Sequence, residues 1–87
     1  MIHLKVANTK SGFVAILHKT AVVEKNNSYL YFNTGGWETM STQKAMNLVL
    51  REKMLAGFYV SRAKGQFTLE TPTGKIAFKE NKAKVKL

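Results

Sequence analysis

Short apolar runs broken by polar pairs cover most of this chain, and their spacing predicts more strand than helix. Ile2, Leu4 and Val6 alternate with His3 and Lys5, the period of a half-buried strand. "ANTKSG" (7–12) is a turn cluster. "FVAILH" (13–18) is nearly all apolar and predicts a central strand. "AVVEKNNSYLYF" (21–32) predicts two strands joined through Glu24 to Ser28, with Asn26-Asn27 at the hairpin tip, because asparagine tolerates left-handed backbone. If Lys19-Thr20 is a bend or bulge, 13–24 is one long kinked strand, and three strands precede the first helical pattern.

That pattern starts after a run of hydroxyl residues. Thr39, Ser41 and Thr42 all suit an N-cap, and "TQKAMNLVLREKMLA" has good helix propensity and runs to Gly57, a C-cap glycine. The helix is expected at about 41–55. Ala45, Met46, Leu48, Val49, Leu50, Met54 and Leu55 cover a wide arc of it, which implies burial against a sheet. Lys44, Asn47 and Arg51 fall three and four residues apart and form one polar stripe.

Three strands follow. "FYVSR" (58–62) sets Phe58 and Val60 on one face, "QFTLET" (66–71) turns Phe67 and Leu69 inward, and "KIAFK" (75–79) does the same with Ile76 and Phe78. "TPTG" (71–74) suits a type I turn. "ENKAKVKL" (80–87) alternates lysine with small or apolar residues and reads as an edge strand or a basic tail. The expected fold is α+β: a single small domain over 1–87, a curved antiparallel sheet packed on one helix, in the order β-β-β-α-β-β-β. A partly closed barrel is the alternative, because an open sheet in so small a domain exposes its edges.

Composition narrows the function classes. With 87 residues and 9.8 kDa the chain has a thin stability margin and little room for a buried catalytic cavity beside its core. There is no cysteine, so disulfides, thiolate chemistry and the usual structural zinc site are excluded. Aspartate is also absent, the two histidines (His3 and His18) fall in strands, and five scattered glutamates form no pair at useful spacing. No catalytic residue, cofactor or metal is expected. No run approaches the roughly 18–20 apolar residues of a membrane span, and the N-terminal "MIHLKVANTK" has no apolar signal-peptide core. An intracellular protein without membrane partners is expected.

Charge changes the picture most. Fourteen Lys and Arg face five Glu, for a net charge of +9. Residues 1–43 carry four lysines against two glutamates, whereas 44–87 carry ten cations against three. Such a field favours polyanions. Twelve of the cations are lysines, which suits diffuse phosphate contact better than base reading. Candidate nucleic-acid contacts are Lys44, Asn47, Arg51, Arg62, Lys64, Lys75, Lys79, Lys82 and Lys84, with Lys86 extending the row. Arg62, Lys64, Lys75 and Lys79 alternate with core positions and are expected on one solvated face or its rim; the competing reading is a merely solvated sheet face. Tyr29, Tyr31 and Tyr59 are candidates for base stacking, or simply cover the sheet.

Two readings attach to Gly35-Gly36-Trp37. Two glycines permit positive φ and a tight reversal between strand and helix, with Trp37 folded back over a helix end as a core plug. The hydroxyl run exceeds what one N-cap needs, so Gly35, Gly36, Thr39, Ser41 and Thr42 also form an anion-binding candidate, which Glu38 opposes. No P-loop is present.

"FNTGGWETMSTQKAMN" resembles a pattern in small, largely uncharacterised proteins of tailed bacteriophages: N-[ST]-G-G-W-x-T-x-[ST]-T, then a basic cluster, then asparagine. Asn33, Thr34, Gly35, Gly36, Trp37, Thr39, Ser41, Thr42 and Asn47 carry the likeness, which extends loosely over 17–81. Where the pattern has Lys-Arg, this chain has Gln43, Lys44 and Ala45. The resemblance implies a phage origin, action in the host cytoplasm, and little about mechanism. Nucleic-acid binding through lysine–phosphate contacts, either DNA or RNA, is the expected function. Docking on an acidic host protein is the alternative, and the helix's excess apolar surface or a free strand edge could support a homodimer.

Overall fold

Tight turns rather than long connections set the architecture. A computed structural model describes residues 4–87; Ile2 and His3 lie outside the described residues. The elements are β1 (Leu4–Thr9), β2 (Gly12–Leu17), β3 (Thr20–Asn26), β4 (Tyr29–Asn33), α1 (Met40–Glu52), β5 (Tyr59–Ala63), β6 (Gln66–Thr71), β7 (Gly74–Ala77) and β8 (Lys82–Lys86). They form an α+β domain with one helix and two antiparallel sheets, ordered β1-β2-β3-β4-β8 and β5-β6-β7.

This differs from the expected single sheet of six strands. Leu17 pairs with Thr20, so His18 and Lys19 make a full reversal rather than a bend, with His18 at φ 57°. The reversal splits the expected long strand into β2 and β3. The other hairpin tips work the same way. Asn26 pairs with Tyr29 around Asn27 at φ 58°, and Ala63 pairs with Gln66 around Lys64 and Gly65 at φ 54° and 76°. Glu80 and Asn81, at φ 52° and 69°, bring Lys79 opposite Lys82 and launch β8. β8 then pairs with β4, so the lysine-rich C-terminal segment is an edge strand. The five-stranded sheet does not close; β1 and β8 are its two edges, and the barrel alternative does not hold.

Register decides which residues face inward, since directly opposed residues share a face. In the larger sheet Phe13, Ala15, Leu17, Val23, Leu30, Phe32 and Ala83 point inward and are buried. Val22 is the extra residue of a bulge between the Ala15–Val23 and Ile16–Ala21 pairs, which explains why two consecutive valines are both buried. The helix lays Ala45, Met46, Val49 and Leu50 on this face. Val60, Phe67 and Leu69 close the core from the smaller sheet, and Phe78 joins the two sheets, its ring 5.6 Å from Phe67 and 6.1 Å from Phe32.

α1 starts one residue earlier than expected and stops three residues sooner. Thr39 is its N-cap, accepting a hydrogen bond from the Thr42 amide. At the other end Leu55 N–H donates to Leu50 O at 2.9 Å and Met54 N–H to Arg51 O at 3.0 Å, with Met54 at φ 56°. That is a Schellman termination with a methionine in the left-handed position. Gly57, the expected C-cap, lies beyond it. It takes φ 88° where a Cβ would stand 2.7 Å from the Pro72 ring.

Candidate nucleic-acid interface

The pairing of β4 with β8 brings two of the three candidate tyrosines beside the C-terminal lysines. Tyr29, Tyr31 and Asn33 stand opposite Lys86, Lys84 and Lys82. All six side chains therefore leave the sheet on the face away from the helix, because Leu30, Phe32 and Ala83 between them point into the core. Lys79 pairs across from Lys82 and joins the same row. On β8 the lysines recur every second residue, about 6.6–6.8 Å apart.

The aromatic part is ordered within this row. The Tyr29 and Tyr31 rings lie 6.1 Å apart at 32°, and the Lys84 Nζ sits 5.1 Å from the Tyr29 centroid. Tyr31 is 37% exposed and lines a shallow groove with Ala21, Glu24, Asn33, Lys82 and Lys84. Glu24, directly opposite Tyr31, is the one carboxylate lining that groove. A sheet face with tyrosines flanked by ammonium groups can stack bases and hold phosphates together.

The remaining candidates lie elsewhere. Arg62 pairs with Phe67 and so emerges at the end of the core face of the smaller sheet. Lys75 and Tyr59 both stand opposite Glu70 on the other face. Lys64 occupies the β5–β6 turn. Of the expected arrangement of Arg62, Lys64, Lys75 and Lys79 on one solvated face or its rim, register rules out the single face, since Arg62 and Lys75 point to opposite sides. Lys44 and Arg51 are exposed on α1, which packs on the opposite side of the larger sheet from the lysine row.

Asn47 has a structural role. Its Nδ2 donates to Val60 O at 2.9 Å, its Oδ1 accepts from Val60 N–H at 2.7 Å, and Gln43 Nε2 donates to the same carbonyl at 3.1 Å. Two helix side chains thus take the place of a neighbouring strand along the edge of β5.

The glycine motif is likewise satisfied from within. Gly35 and Gly36, at φ 65° and 89°, confirm the positive backbone angles expected of them. Gly35 N–H donates to Asn33 Oδ1 at 2.8 Å and Gly36 N–H to Thr34 Oγ1 at 3.2 Å. Thr39 Oγ1 accepts from Thr42 N–H and lies 3.3 Å from Thr42 Oγ1. These donors are used inside the turn and cap, and of the hydroxyls proposed for an anion Ser41 is the exposed one without such a bond here.

Trp37 corrects the reading of it as a core plug: it is 67% exposed. Thr34 and Thr42 are the buried side chains at the helix start, and Gly36, at φ 89°, turns the chain just before Trp37. Only its place on a short, glycine-led connection hinted at this exposure. Among the described residues, no group of three potential ligands is placed to hold a metal ion, and no helix is long and apolar enough to cross a membrane. Compared with protein-family models, curated proteins and solved structures, the chain finds no match.

Proposed function

We propose that this protein binds nucleic acid through the outer face of β4 and β8, with little sequence specificity. One observation carries the reading: Tyr29 and Tyr31 share an uncovered sheet face with Lys79, Lys82, Lys84 and Lys86. Lysines meet phosphates as point charges and release counterions, while tyrosine faces accept any base. A sheet face presenting tyrosine rings suits single strands better than duplex, whose bases are stacked and out of reach. The likeness over Asn33–Thr42 supports a tailed-phage accessory protein acting in the host cytoplasm. Electrophoretic mobility of labelled single-stranded DNA and RNA across a salt series tests the proposal. A shift that fades steeply with salt is expected, and no shift at low salt rejects it.

A second reading has its own observation. Met40, Met54 and Tyr59, 55%, 87% and 51% exposed, line an open groove along α1 and the start of β5 that Lys44 and Arg51 flank. Apolar contact within a cationic rim suits an acidic host protein. Affinity capture from host lysate with nuclease present separates the two: a stoichiometric partner that survives nuclease favours docking.

A further inference from the structure

We infer that the cleft beside Trp37 accepts a single nucleobase with its phosphate, a site that extends the proposed strand-binding face and rests on that reading for its continuity. The cleft measures about 500 Å³, within the range of small-molecule sites. Leu17 and Val22, both buried, line it, Trp37 flanks it, and Thr20, Ser41 and Lys19 contribute hydroxyls and an ammonium group. Glu38 is not among its lining residues.

Trp37 is the chain's single tryptophan, of a residue type that buries roughly 150–250 Å² when it enters a core. It is nonetheless 67% exposed, and its backbone is fixed there. Its backbone N–H donates to Thr34 O at 3.0 Å, and Thr34 N–H donates to the carbonyl of Asn81, just before β8, at 2.8 Å. An exposed indole whose backbone is fixed beside a cleft can stack a base of any identity. Hydroxyls both donate and accept, so they impose little base preference. Lys19 supplies the charge for a phosphate.

Sequence neighbours connect this cleft to the lysine row. Thr20 and Thr34 line the cleft, while Ala21 and Asn33 line the groove shared with Tyr31, Lys82 and Lys84. Successive residues of a strand point to opposite faces, so the cleft and the groove lie on opposite faces at the same end of the sheet. A strand following β8 from Lys86 to Lys82 reaches the end of β4 at Asn33, and one base turned round that end would meet the cleft at Thr34.

Emission from Trp37 reports on occupancy without a label. The intact protein is titrated with a short oligothymidylate, an abasic oligomer of equal length and free AMP, alongside Trp37→Ala and a Lys82→Glu/Lys84→Glu variant. The oligothymidylate should quench emission, and the abasic oligomer should not. Trp37→Ala should weaken oligothymidylate binding by about 5- to 150-fold, the span of one base stack. Saturable quenching by AMP assigns the cleft to a free nucleotide, and quenching by oligomer alone assigns it to a strand residue; both support the site. If the oligomer shifts in a gel while emission stays unchanged and Trp37→Ala binds normally, the cleft proposal is overturned and the lysine face stands. If AMP quenches but the double charge reversal leaves oligomer binding intact, the lysine face fails and the cleft stands.

Discussion

Asn47 and Val60 exchange two hydrogen bonds, side-chain amide to carbonyl at 2.9 Å and backbone amide to side-chain oxygen at 2.7 Å, as one strand would with its neighbour. The helix is thereby fixed to the edge of the smaller sheet by a polar clamp as well as by apolar packing. Removing the clamp leaves a partly buried backbone N–H without its partner. Asn47→Ala should cost about 2–3 kcal/mol in urea unfolding. Lys44→Ala, on the same stripe but exposed, should stay within about 0.5 kcal/mol. Equal effects at the two positions would show that the clamp adds nothing.

Met54 ends the helix in left-handed backbone, where a Cβ is penalised by about 1–2 kcal/mol. It is 87% exposed, so its side chain returns little packing. Met54→Gly should therefore raise stability by roughly 1 kcal/mol, read as a higher urea midpoint at unchanged slope. A drop in the midpoint would mean the exposed thioether contributes packing after all.

Position along the sheet should set each lysine's share of binding. Lys82→Ala and Lys84→Ala should each lower the slope of log affinity against log salt by about 0.7 for a single strand. Lys75→Ala should leave the slope unchanged, since Lys75 lies on the other sheet opposite Glu70. Equal losses for all three lysines would mean net charge alone drives binding and that no defined face exists.

Stacking separates the strand preference from charge. Tyr31→Ala should weaken single-strand binding by about 1–3 kcal/mol and leave the salt slope intact. Duplex binding should change far less, because paired bases offer no free face to the ring. A Tyr31→Phe variant should bind like the parent, since the ring and not its hydroxyl is the stacking surface.

Strand and helix periods were readable because side-chain alternation is local. Phe67 and Leu69 alternate and are buried, and Thr39 caps α1 as a short hydroxyl should. Asn27 at a hairpin tip was legible for the same reason. The turns at His18-Lys19 and Glu80-Asn81 were not, because neither has the Asn-Gly, Asp-Gly or Gly-X pair that marks a two-residue hairpin turn. Their conformations are imposed by pairing partners on both sides. The site was half legible: Tyr29, Tyr31, Lys82 and Lys84 were named from type and spacing, but Arg62 and Lys75 fell to opposite faces once register was fixed.

By itself the sequence determined an α+β domain with one amphipathic helix, a strongly cationic second half and no thiol chemistry. Those properties follow from residue identity and from spacing over a few residues. The tertiary structure decided which strand lies beside which. By returning β8 to β4 it placed tyrosines from residues 29–31 next to lysines from residues 79–86. It also left Trp37 in solvent, while the smaller Thr34 and Thr42 are buried at the helix start. Long-range register and the burial of one side chain rather than another are global properties, and no local pattern encodes them.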